Sequence, residues 1–355
     1  MELKLLKGAE NENNIFSLSI KNIEGIERKT PSRAFKKVNS SDNTSYFTEA
    51  MLQIKNDELT GKPNYPKFDR NIEDRIKKKE VGNNVNIISF YGDKSTGISN
   101  LVKFEDLGLL SNFEALFNDH MIAMPYSLSL YNLKVDDIFL NVKNAFDSFF
   151  SVLSSKNLFG YIPSYVNYRY IADFLKFYSD RFKLTIRDSG SLYNAIPVMI
   201  DFKRSLPDKF KRSVAFLLKL KMEYIKEGFY PIYYAANVGM PRISIKKQRS
   251  LAKEFMLSFL GFDIIGASQA VPATNGFGHS VPSSSIDFDQ QSFNYVSNDM
   301  PDKYNRDIKK SEIFKIQTSY LNRIHDKALS NEHYPGQELA KRKTANDYIN
   351  TFKGS

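Results

Sequence analysis

The polarity pattern divides the chain near Val85. Before it, apolar positions are scattered. "IFSLSI" (15–20) alternates as a strand does. "ERKTPSRAFKK" and the polar loop "NSSDNTS" follow, and "FTEAMLQI" is expected to be a short helix. "DRIKKKEVGNN" is a charge run that reads as a solvated face ending in a turn. From Val85 onward, short apolar runs alternate with segments of helical period. "VNIISFYG" (85–92), "HMIAMPY" (120–126), "LFGYIPS" (158–164), "FKLTIRDSG" (182–190), "AIPVMIDF" (195–202) and "PIYYAA" (231–236) read as strands. Between them, "VDDIFLNVKNAFDSFFSVLSS" (135–155) repeats apolar residues at helical spacing after an acidic start. "NYRYIADFLKFYSDR" and "PDKFKRSVAFLLKLKMEYIKEG" (207–228) do the same, the latter with Pro207 at its start and Gly228 at its stop. "ISIKKQRSLAKEFMLSFLG" (243–261) is expected to be a further helix, and "FDIIG" a last buried strand.

Strands alternating with helices predict a parallel α/β fold. The count fits a (β/α)8 TIM-like barrel over 85–285, with residues 1–84 as N-terminal strands and loops packed on it. Residues 286–355 are expected to form a C-terminal helical extension. It would begin after the Gly/Pro/Ser loop "PATNGFGHSVPSSS", carry a helix over 311–329 and end in a polar, basic tail. A doubly wound open sheet is the rival, weakened because no GxGxxG follows an early strand.

Composition narrows the chemistry. Lys and Arg outnumber Asp and Glu by 50 to 40 over 355 residues, a net charge of +10 that favours a polyanionic partner. Cysteine is absent, which excludes disulfides, thiolate nucleophiles and thiolate metal ligands. The four histidines (120, 279, 325, 333) are scattered, so no transition-metal site is expected; a carboxylate Mg²⁺ site stays open. The start has no signal-peptide core and no run approaches a membrane span, so a cytoplasmic protein without a membrane partner is expected.

In a barrel, catalytic groups sit at the C-terminal ends of strands. The candidates there are Asp93, Asp188, Asp201, Asn237 and Asp263. Asp201 and Asp208 precede helical starts and suit capping. Asp263 stands inside an apolar run, where an uncompensated carboxylate is costly, so it is either the mouth of a pocket or a satisfied core acid. "YGDKSTG" (91–97) brings an acid, a base and two hydroxyls between glycines, as a phosphate loop or an ordinary turn would. His279 could reach a site from its loop. The tyrosines of "YIPSYVNYRY" could stack on a flipped base or simply fill the core.

The order of "TPSRAF" (30–35), "YGDKSTG", "HMIAMPYS" (120–127), "LFGYIPS", "YYAANVGMP" (233–241) and "GFDIIG" (261–266) resembles the tRNA-guanine transglycosylase family, including its DNA-acting deazaguanine relatives. The resemblance spans residues 30–270. It implies a TIM barrel that exchanges guanine in a nucleic acid, DNA slightly before tRNA, for a 7-deazaguanine base. Asp263 would be the nucleophile forming a glycosyl–enzyme, with Asp93 the general base and Asp188 the alternative base. Asn237, Gly239, Met240, Ser95, Tyr126 and Ser164 would line the substrate pocket. The family's zinc site needs cysteines, so no metal or other cofactor is expected. The family's base-reading acid is displaced by Pro125 or Tyr126, and its "QGG" becomes Pro163-Ser164-Tyr165. A homodimer stays open. Two other readings stand beside this one: a non-catalytic nucleic-acid-binding barrel, and a Schiff-base lyase using Lys94 or Lys203.

Overall fold

The computed structural model describes residues 2–4, 18–21, 27–35, 47–54, 74, 85–92, 121–153, 158–183, 194–241, 249–266, 284–301, 312–323 and 337–354. In chain order, β1 (Glu2–Lys4), β2 (Leu18–Lys21) and β3 (Glu27–Thr30) form a small antiparallel sheet. Then come β4 (Ser32–Phe35), β5 (Phe47–Ile54), β6 (Val85–Gly92), β7 (Met121–Ser127) and helix α1 (Val135–Leu153). Strand β8 (Leu158–Pro163) leads to α2 (Tyr168–Lys183), β9 (Asn194–Asp201) to α3 (Lys211–Lys226), and β10 (Phe229–Ala236) follows. The remaining strands are β11 (Arg249–Leu251), β12 (Ile264–Ile265), β13 (Ser284–Asp289) and β14 (Asn294–Pro301). Helices α4 (312–323) and α5 (Gln337–Lys353) complete the set.

Strands β4 to β10 and β12 close into an eight-stranded, all-parallel barrel. Partner offsets followed once round the ring return to the starting strand eight residues out of step. Eight strands with a shear of eight is the geometry of a (β/α)8 barrel. Each strand is covered twice, by the lumen and by the outer layer, which is why β8 and most of β10 are buried at every position. On β8, Gly160 makes room for the ring of Tyr178 from α2, since a Cβ there would lie 2.5 Å from it. The Tyr178 hydroxyl then bonds both the N–H and the carbonyl of Tyr161, pinning helix to strand.

Four expectations change. The barrel begins before Val85, because β4 and β5 supply two of its eight strands. "FTEAMLQI" is therefore a strand: pairing with β6 over its whole length outweighs the helix-forming residues it contains. Within "ISIKKQRSLAKEFMLSFLG", the described part is β11 and a 3-10 turn, Phe255–Leu260. Strand β11 pairs with the hairpin β13–β14, so residues 286–355 are not helical throughout. The "FKLTIRDSG" strand lies largely outside the described residues. Among those described, no helix is long and apolar enough to cross a membrane.

Candidate functional site

Because all eight barrel strands are parallel, their C-terminal ends meet at one mouth. Asp201, the last residue of β9, is fully buried there. One carboxylate oxygen accepts from the hydroxyls of Tyr131 (2.9 Å) and Tyr161 (2.7 Å). The other accepts from the Lys203 N–H (3.0 Å) and Asn237 Nδ2 (2.9 Å). Four donors, none of them a cationic group, thus saturate one carboxylate. Burial, and next the charge of Asp201, push the hydroxyls of Tyr131 and Tyr161 up, so both stay protonated and able to donate. The Tyr126 hydroxyl is held up for the same two reasons.

Neighbouring strands extend the cluster. Tyr126 near the end of β7 accepts from Asn237 Nδ2 at 2.7 Å. Its ring stacks between Tyr91 of β6 (6.2 Å) and Tyr161 of β8 (5.3 Å). Ser164, just past β8, donates to the Asp201 carbonyl at 2.8 Å. Deeper in the lumen, the Tyr234 hydroxyl of β10 bonds Glu49 of β5. Those strands are separated in the ring by β12 and β4, so this bond spans the lumen.

Backbone strain gathers at the same place. Lys203, Arg204 and Asn237 have φ of 49°, 58° and 53°, in the left-handed region that side chains disfavour. The turn after β9 and the turn after β10 lock one another: the Gly239 N–H donates to the Ser205 carbonyl at 2.8 Å. A Cβ on Gly239 would lie 2.7 Å from the Arg204 carbonyl, so only glycine permits the approach. Lys203 Nζ donates to the Tyr131 carbonyl at 3.3 Å and rests over the rings of Tyr131 and Tyr165.

Beside the mouth lies an open cleft of about 610 Å³, whose lining includes Ser164, Tyr165, Tyr168, Lys209, Lys211 and Arg212. Helices α2 and α3 both start there, so two positive helix ends join three cationic side chains. Asp208 also lines it, tied to Lys253. Among the described residues, no group of three or more histidine or carboxylate side chains is gathered to hold a metal ion.

Four of the residues expected in a substrate pocket, Tyr126, Ser164, Asn237 and Gly239, are thus brought together around Asp201. Met240 is the next residue along, half-buried against the core. Asp93, Ser95, Asp188, Lys94 and His279 lie outside the described residues. Asp263 is not brought to the mouth. It precedes β12 and is level with Tyr233, three residues short of the end of β10, about 10 Å down the barrel at roughly 3.3 Å per residue. Its carboxylate turns outward to α3, where Lys221 Nζ donates to it at 2.7 Å. Tyr230 (3.1 Å) and the Tyr233 N–H (2.7 Å) donate as well, and Lys221 also reaches the Gly261 carbonyl. Burial pushes the Asp263 carboxyl up and the Lys221 ammonium down, each against the pull of its partner. Of the two readings open for this acid, the satisfied core acid is the one the geometry bears out.

Asp201 stands among the strand-end candidates and does accept from the Lys203 N–H two residues on, as a capping acid would; its bonds to Tyr131, Tyr161 and Asn237 are what the sequence does not show. The available signal for its placement was its position as the first polar residue after the apolar run "AIPVMI", where a strand of a parallel barrel ends. Glu49 was hidden by reading its segment as a helix. No protein-family model matches the chain, and no curated protein matches it either.

Proposed function

We propose that the cleft adjoining the mouth binds a nucleic-acid strand, with a base held against Tyr165 and Tyr168 and phosphates along Lys209, Lys211 and Arg212. One observation carries this reading. Ser164 and Tyr165 belong to both places: they bond the buried Asp201 cluster and line the basic cleft, so the cluster fixes one wall of that cleft, where Tyr165 and Tyr168 stand beside the cationic side chains. Aromatic rings beside a positive groove are what single strands require, because every base has a π-face and every link a charge. The net charge of +10 agrees with such a partner.

Base exchange is kept apart from binding. The resemblance gave the nucleophile's role to Asp263, and a carboxylate engaged by Lys221, Tyr230 and the Tyr233 backbone on the outer side of the barrel does not suit that role. We therefore assign binding, not exchange, to the cleft.

The test is fluorescence anisotropy with labelled single-stranded DNA and RNA oligonucleotides over a range of salt. Affinity is expected to fall as salt rises, with a logarithmic slope near −0.7 for each phosphate neutralised. Replacing Lys209, Lys211 and Arg212 together by Ala is expected to flatten the slope. Absence of binding to both polymers at low salt would overturn the reading.

A further inference from the structure

The two helix starts that border the basic cleft differ. Helix α2 begins under a side-chain cap, because Asn167 Oδ1 accepts from the Arg169 N–H at 3.1 Å. Helix α3 begins without one. Phe210 holds its cap position, no side chain bonds the helix end there, and the residues from Asp208 to Ser213 line the cleft. The partly positive end of a sixteen-residue helix therefore borders the open space. Ser213, in the first turn of α3, is 5% exposed and lines the same space. Among the described residues its hydroxyl meets the Val166 carbonyl at 3.5 Å, beyond the range of about 2.5–3.0 Å usual for an O–H···O bond. A buried hydroxyl so weakly matched calls for a better acceptor. Lys209, Lys211 and Arg212 crowd the same helix end, and among the described residues no carboxylate pairs with any of them. The acid that shares the lining, Asp208, is held by Lys253.

We propose that the start of α3 seats the terminal phosphomonoester of a nucleic-acid strand, so that the protein holds the strand by its end. The inference rests on the nucleic-acid reading above and adds which phosphate the cleft takes. An internal link carries a single charge. A terminal phosphate carries about two at neutral pH, spread over three strong acceptor oxygens. Three unpaired cations, an uncapped helix start and a buried hydroxyl at one point match the more highly charged group. A groove that follows a backbone strings its charges along a track instead. The size of the cleft agrees. At about 610 Å³ it is on the scale of one drug-sized ligand, about one or two nucleotides, and too small for a longer run. With the phosphate on α3, the first base lies against Tyr165 and Tyr168, and the ring of Tyr168 is braced edge-on by Phe216 of the same helix at 5.4 Å.

The experiment measures competition binding of single-stranded DNA and RNA of one sequence in several forms. One form has hydroxyl groups at both ends. Others carry a phosphate at the 5′ end or at the 3′ end. The last set carries the same phosphates capped as methyl esters, which keeps the group and lowers its charge to that of an internal link. A terminal phosphate at one end or the other is expected to tighten binding about tenfold over the hydroxyl-ended strand. Methyl capping is expected to remove most of that gain. Ser213→Ala is expected to reduce the gain about threefold. Lys211→Glu places a carboxylate in the first turn of α3, where it suits the helix and keeps the fold, and is expected to erase the gain. Equal affinity of the unaltered protein for hydroxyl-ended and phosphate-ended strands would overturn the proposal and leave the nucleic-acid reading standing. So would a gain that survives methyl capping, or one that persists in a folded Lys211→Glu. Failure of every strand to bind would sink both.

Discussion

Asp201 and Asp263 are both buried, at 0% and 1% exposure, yet they are held by opposite means. On the outer side of the barrel, Asp263 is matched by a buried cation, Lys221. At the mouth, Asp201 is matched by two tyrosine hydroxyls, an amide and a backbone N–H. The first arrangement neutralises charge between two layers and joins α3 to β10 and β12. The second aligns a set of neutral donors around one carboxylate. A carboxylate inside an apolar run is therefore no guide to chemistry by itself. What matters is the side of the strand it faces and whether its partners leave other polar groups exposed to a ligand.

The largest expected effect is at Lys221. Replacing it by Met strands the Asp263 carboxylate and is expected to cost about 3–5 kcal/mol, measured by urea unfolding. Changing Asp263 to Leu in the same chain is expected to recover most of that loss. The deficit of Lys221→Met should also shrink at acid pH. A carboxyl whose folded pKa is raised binds its proton more tightly in the folded state. Stability is then greatest below the ordinary value of 3.8 and is lost as pH rises towards the raised one. A deficit that grows on acidification would mean that Asp263 is not held as a buried charge.

At the mouth, Asp201→Ala is expected to cost about 2–4 kcal/mol by leaving four donors unmatched, those of Tyr161 and Asn237 fully buried. Asp201→Asn should cost less, about 1–2 kcal/mol, because the two tyrosine hydroxyls can turn and accept from the new amide. Equal costs for the two variants would contradict the neutral-donor account. Tyr161→Phe removes one donor of the four and keeps the stacked ring. A loss of about 1 kcal/mol in a thermal or urea melt is expected. Smallest of all, Lys176→Ala breaks an exposed pair with Asp180 on α2 and should change stability by less than about 0.5 kcal/mol. This calibrates what charge pairing contributes when water shares it.

How far the fold was legible follows from how each element is held. Strands β6 to β10 stand out because both their faces are buried, and continuous apolar runs bounded by turns record that directly. Strand β5 does not, since Thr48, Glu49 and Gln53 interrupt it and its residues suit a helix as well. Only pairing with β6 makes it a strand. Hairpin β13–β14 was overlooked beside a Gly/Pro/Ser loop, although Ile286 and Phe288 alternate with polar residues. Of the site, Asn237 stood among the strand-end candidates, while Tyr126, Ser164 and Gly239 were expected beside it only through the family resemblance. The role of Asp201 and the outward turn of Asp263 were not legible.

The barrel's parallel strands and outer helices are written in the chain itself, through the alternation of doubly buried runs with helical periods. The sequence also excluded thiol chemistry and supplied the excess of positive charge. Which acid looks into the mouth and which looks into the helix layer emerges with the closed barrel. The reason is that side chains alternate at every residue of a strand, so facing is set by register and closure. A shear of eight residues around eight strands is a property of the whole ring, and it brings Asp201, Asn237 and Tyr126 into contact from three separate strand ends.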